Sequence, residues 1–147
     1  MRLKVNLLIG IGILMGIVLL WFLLTYWLNP HVEAPDGKAR ITGSCGDTME
    51  LSLKFRDDRV VEAAYWTNGC AYSLNCVCAA SDLAKGKTPD EILEIDPELI
   101  QKSVGGLPAD QMHCARLSVE TLYAALEDYM KSTKVQGKRR SAKGPTA

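Results

Sequence analysis

The pattern of apolar and polar positions divides the chain into unlike stretches. From Val5 to Leu28 the sequence VNLLIGIGILMGIVLLWFLLTYWL is uncharged and almost wholly apolar. As a helix rising 1.5 Å per residue, such a run spans a bilayer core of about 30 Å. Trp21, Tyr26 and Trp27 crowd one end, where amphipathic rings favour the headgroup region. The run exceeds the about 7–15 apolar residues of a signal peptide, and Pro35 opposes cleavage after Val32-Glu33-Ala34. An uncleaved single-pass anchor over 1–28 is therefore expected. Gly12 and Gly16 have the small-xxx-small spacing of paired membrane helices, a route to a homodimer. Gly10, Gly12 and Gly16 make no dinucleotide fingerprint, because no strand precedes them.

A polar connector, 29–40, follows. Then Met49, Leu51, Leu53 and Phe55 alternate with Glu50, Ser52, Lys54 and Arg56, the period of two of a half-buried strand. Asp57-Asp58 reads as a tight turn, and Val60 to Thr67 as the antiparallel partner strand. The rest reads as helix. Ala71 to Lys85 is stopped by Gly86, Thr88-Pro89-Asp90-Glu91 is a capping box, and Asp96-Pro97-Glu98 repeats a cap-then-proline start. A longer helix after Gly105-Gly106-Leu107-Pro108 runs to about Lys131, with Ala115, Val119, Leu122, Leu126 and Tyr129 on one stripe. Strands first and helices later predict an α+β domain over 41–132, a small antiparallel sheet packed against helices and preceded by one transmembrane helix. Residues 133–147 read as a basic disordered tail.

Charge alters this picture little. Seventeen basic residues balance 17 acidic ones, so nothing global points to nucleic acid. The charges flanking the apolar run, Arg2 and Lys4 against Lys38 and Arg40, nearly tie and leave its direction to other arguments.

The cysteines carry the candidate chemistry. Five of them, at 45, 70, 76, 78 and 114, are too many by one for a complete disulfide framework and form no paired zinc knuckles. Cys45 lies just before the first predicted strand, Cys70 at the start of a helix and Cys114 early in the long one. A helix N-terminus favours thiolate, the form that binds metal and attacks sulfur. Three such thiols, with a carboxylate and an imidazole nearby, suit iron or zinc. Cys76 and Cys78, two apart on a helix, point about 200° from each other and cannot both face one site. They read as buried small hydrophobes, with Cys76 a lesser candidate. His113, beside Cys114, is a candidate ligand or proton carrier.

Five stretches in order, Cys45-Gly46-Asp47-Thr48-Met49-Glu50-Leu51, Asn68-Gly69-Cys70, Lys85-Gly86-Lys87-Thr88, Gly105-Gly106-Leu107-Pro108 and Met112-His113-Cys114, resemble the NifU/IscU-type iron–sulfur scaffold family from about Asn29 to Lys131. That resemblance implies a transient 2Fe–2S cluster held by Cys45, Asp47, Cys70 and Cys114, with His113 beside them and iron or zinc able to occupy the site. It implies Cys114 as acceptor of persulfide sulfur from a cysteine desulfurase, and Asp47 as the oxygen donor that keeps the cluster transferable to apo iron–sulfur clients. A carrier of this kind has no turnover of its own. Gln111 stands where members commonly have lysine, Ala71 where they have glycine, and Leu107-Pro108-Ala109-Asp110-Gln111 where one branch has its chaperone-recognition stretch. A module on the same fold that retains zinc or a permanent cluster, as a membrane-bound metal or redox sensor, is the alternative. Because labile clusters need reduced thiols, the domain is expected at the membrane, facing the cytoplasm.

Overall fold

A computed structural model describes the backbone of residues 2–28 and 32–142, and the side chains of 6, 9–25 and 32–135. The chain divides into two units, 1–31 and 32–147.

The first unit is a single helix, α1 (Arg2–Leu28). Thr25 folds its hydroxyl back onto the carbonyls of Trp21 and Phe22, at 3.0 and 2.9 Å. A Cβ added at Gly12 or Gly16 would meet open space. The expected membrane anchor is corrected here: among the described residues, no helix is long and apolar enough to cross a membrane. The membrane partner and the membrane localisation built on that anchor fall with it. The expected end of the helix at Asn29-Pro30 lies outside the described residues.

The second unit holds a three-stranded antiparallel sheet in the order β1 (Gly37–Thr42), β2 (Thr48–Arg56), β3 (Arg59–Thr67). The alternation of β2 turns Met49, Leu51 and Leu53 inward, all fully buried. β3 closes on β2 through a two-residue turn in which Asp57 and Asp58 both have positive φ, 51° and 61°. That geometry matches the right-handed twist of the strands, and Asp tolerates it better than most residues. β1 was not expected: it begins inside 29–40, the stretch read as a connector. It pairs with β2 in the register Gly37↔Leu53, Ala39↔Leu51, Ile41↔Met49.

The helices are α2 (Ala71–Ala84), α3 (Pro89–Ile92), α4 (Pro97–Ser103) and α5 (Met112–Ala142), with a 3-10 turn at Ala109–Gln111. The capping box at Thr88 is complete: its N–H donates to Glu91 Oε2 at 2.8 Å, and its hydroxyl accepts from the Glu91 N–H at 3.3 Å. Asp96 caps α4 through the Leu99 N–H at 2.7 Å. α5 packs on β1 and β2, and α2 on β3 and α5. The core between sheet and helices gathers Leu51, Leu53, Val77, Ala80, Ile100, Leu122 and Leu126. β1 lies so close to α5 that a Cβ on Gly37 would sit 2.3 Å from the Ala125 carbonyl oxygen. α5 runs on past Lys131, so 133–142, read from the sequence as disordered tail, is helical; 143–147 lie outside the described residues.

Candidate metal centre

Three junctions between elements meet at one end of the sheet. The β1–β2 turn carries Cys45 and Asp47, the β3–α2 junction carries Cys70, and the start of α5 carries His113 and Cys114. The first two are stitched together: Asn68 Oδ1 accepts the Thr48 N–H at 2.8 Å, and the Thr67 hydroxyl donates to the Thr48 carbonyl at 2.7 Å. The β1–β2 turn closes on itself through Gly43 N–H to Asp47 O, 2.9 Å, and Gly46 N–H to Gly43 O, 3.0 Å. Gly46 takes φ +88°, a conformation that a side chain would strain.

This arrangement brings the ligand atoms of Asp47, Cys70 and Cys114 within 4.8 Å of one another. Sulfurs on one tetrahedral metal, each at about 2.3 Å from it, lie about 3.8 Å apart. Two thiols and a carboxylate at this spacing therefore fit a borderline-soft metal after small side-chain adjustments. Cys45 is exposed in its turn and is not part of that group. His113 Nε2 is 3.4 Å from Cys114 Sγ, and its Nδ1 is 2.8 Å from the Asp110 carbonyl oxygen. A carbonyl only accepts, so Nδ1 holds the proton in the neutral ring and Nε2 turns its lone pair to the sulfur.

The two grouped thiols differ electrostatically. Cys70 is exposed at the N-cap of α2. The Ser73 backbone N–H facing its sulfur pulls the thiol below its ordinary 9.0, although no full cap hydrogen bond forms. Cys114 is buried, and loss of water pushes its thiol up. The Ser73 hydroxyl is the main cause lowering the Asp47 carboxyl. Ser73 is the residue that sequence reasoning missed. It is fully buried and hydrogen-bonds Asp47 Oδ2. Its only sequence signal is a position three after Cys70, one turn along the same helix face.

Cys76 and Cys78 diverge as their spacing requires. Cys76 is buried in the core, and its thiol is pushed up to about 12 by loss of water. Cys78 is half-buried, with Asp82 Oδ2 at 3.8 Å.

The profile of the NifU-like N terminal domain family matches residues 33–136. The iron–sulfur cluster assembly scaffold protein IscU 1 of Archaeoglobus fulgidus is 35% identical over 111 residues, 72% of each chain. The IscU scaffold protein of Aquifex aeolicus is 30% identical over 114 residues, 73% of each chain. The nitrogen fixation protein NifU of Nostoc is 34% identical over 103 residues, 69% of this chain but only 34% of its own length. Among solved structures, a NifU-like N-terminal protein from Brucella abortus superposes with a TM-score of 0.51 at 20% identity, covering 68% of this chain and 83% of its own, a likeness of fold. The chain belongs to the NifU-like N-terminal domain family.

Proposed function

We propose that this chain is a scaffold on which a transient iron–sulfur cluster of the 2Fe–2S type is assembled and then passed to apo client proteins. One observation carries the reading: two thiols and a carboxylate, delivered by three separate junctions, converge within 4.8 Å. The relatives named as IscU scaffolds support it. The cluster is cargo, held by Cys70, Cys114 and Asp47, with exposed Cys45 as the fourth donor and His113 beside Cys114. Carboxylate oxygen binds iron less firmly than thiolate, which suits a site that must let go.

Sulfur comes from a cysteine desulfurase. The exposure of Cys70 and its lowered thiol favour it for the first contact. Its thiolate attacks the outer sulfur of the donor persulfide, a new S–S bond forms, and the donor cysteine leaves as thiolate. Cys114, implied as sulfur acceptor by resemblance, is buried, so it takes the sulfur in a second exchange, with Cys70 as the leaving thiolate.

The test is anaerobic reconstitution with ferrous iron, cysteine, a desulfurase and dithiothreitol, the thiol that reduces persulfide sulfur to sulfide. Sulfide-to-iron charge-transfer absorbance should develop in the wild-type protein and fail in a Cys45→Ala, Cys70→Ala, Cys114→Ala triple variant; full absorbance in the triple variant would sink the reading. Asp47→Cys, which supplies a further thiolate, should slow transfer to apo-ferredoxin by about tenfold or more. A site that retains its metal instead would show no transfer from the wild-type protein.

A further inference from the structure

Ser73 touches all three grouped donors at once. Its hydroxyl hydrogen-bonds Asp47 Oδ2. The same oxygen is 3.4 Å from Cys114 Sγ and 3.7 Å from Cys70 Sγ. A serine hydroxyl has one proton, and an ionised carboxylate is the stronger acceptor. The proton therefore goes to Asp47, and the lone pairs of the oxygen face the two thiols. The Cys70 backbone N–H adds a second bond to the same Oδ2 at 3.3 Å. Gly69 closes the remaining side, since a Cβ there would lie 2.7 Å from both Asp47 Oδ2 and Ser73 Cβ.

These contacts are made by a fully buried side chain in the first turn of α2. Asp47, by contrast, sits in a turn and is only half-buried. Left alone, a turn carboxylate samples several rotamers, and ordering it on binding costs affinity. A buried anchor removes that cost by holding the ligand in place beforehand.

We propose that Ser73 is the positioning residue of the metal-binding carboxylate: by gripping Oδ2 from within α2, it holds Asp47 against the sulfurs of Cys70 and Cys114, so that an incoming metal meets three donors already assembled. The proposal rests on the metal-site reading of the previous section. It gives the helix after Cys70 a second task, since the same first turn both draws the Cys70 thiol toward thiolate and fixes the oxygen ligand. It also explains why position 69 must lack a side chain.

The experiment is an anaerobic Co2+ titration of the full chain, followed by the thiolate-to-cobalt band in the near ultraviolet and the ligand-field bands in the visible. Wild type, Ser73→Ala, Asp47→Ala and the double variant are compared. Ser73→Ala should weaken Co2+ binding about five- to tenfold, the cost of ordering one free side chain. The loss should appear only where Asp47 is present, and the ligand-field bands of Ser73→Ala should move toward those of Asp47→Ala. Gly69→Ala, which displaces the carboxylate from the other side, should give the same loss and serves if Ser73→Ala does not fold. Unchanged affinity in both single variants, or an equal loss with and without Asp47, overturns the proposal. Absence of the thiolate-to-cobalt band in the wild-type protein overturns the metal-site reading and this proposal with it. A normal wild-type band without any Ser73 effect overturns this proposal alone.

Discussion

Cys76 lies in the core with no exposed surface, and burial holds its thiol up to about 12 against an ordinary 9.0. The folded state therefore keeps the proton through a range in which the unfolded chain loses it. A raised folded value means that its contribution to stability is intact below the unfolded value and is lost as pH rises from about 9 toward 12. Each pH unit in that window costs about 1.4 kcal/mol. Between pH 8 and pH 10 the expected loss from this one thiol is about 1.4 kcal/mol, roughly three quarters of it above pH 9. Cys76→Val has no proton to lose and is close in volume. Urea unfolding of both proteins, under an inert atmosphere with a phosphine reductant, isolates the difference, because every other titrating group is shared. The midpoint of the wild-type protein should fall further between pH 8 and 10 than that of Cys76→Val. Parallel pH profiles for the two proteins would refute the reasoning, and would mean that the Cys76 thiol titrates from an exposed position, as a ligand of the site would.

Gly37→Ala places a methyl group 2.3 Å from the Ala125 carbonyl, so β1 must lift from α5, and urea melts should show a loss of about 1–3 kcal/mol. Thr88→Ala removes the hydroxyl that accepts the Glu91 N–H but keeps the backbone N–H that donates to Glu91 Oε2, and should cost about 1 kcal/mol in the same assay while leaving Co2+ affinity unchanged, since α3 is remote from the thiols. The Asp47 carboxyl is depressed chiefly by the Ser73 hydroxyl, so its stabilising effect is present above the unfolded value of 3.8 and fades as pH falls through the lower folded one. Carbon-detected NMR titration should find that depression reduced in Ser73→Ala and retained in Thr88→Ala.

Local features of this fold were legible because the physics that sets them is local. The period of two through Met49, Leu51 and Leu53, the Asp57-Asp58 turn, the Thr88 capping box and the Gly86 stop each involve neighbours a few residues apart. β1 was not legible. Its inward positions are Gly37, Ala39 and Ile41, of which only the last is a strong apolar signal, flanked by Lys38 and Arg40. Gly37 reads as linker until α5 is seen to need the space a side chain would fill. The far end of α5 misled in the opposite direction: Lys134 to Ala142 is basic and polar, with no apolar stripe, yet continues the helix begun at Met112.

By itself, the sequence determined which residues carry sulfur and oxygen chemistry, that Cys76 and Cys78 face opposite ways, and the motif order that marks the family. The tertiary structure alone decided which donors meet. Asp47 and Ser73 are 26 positions apart, and Ser73 and Cys114 are 41 apart, distances over which chain pattern says nothing about contact. It separated exposed Cys70 from buried Cys114, a difference in hydration and hence in proton affinity that residue type cannot express. It also turned a serine that reads as an ordinary first-turn residue into a side chain touching all three grouped donors, because burial and approach belong to packing between elements.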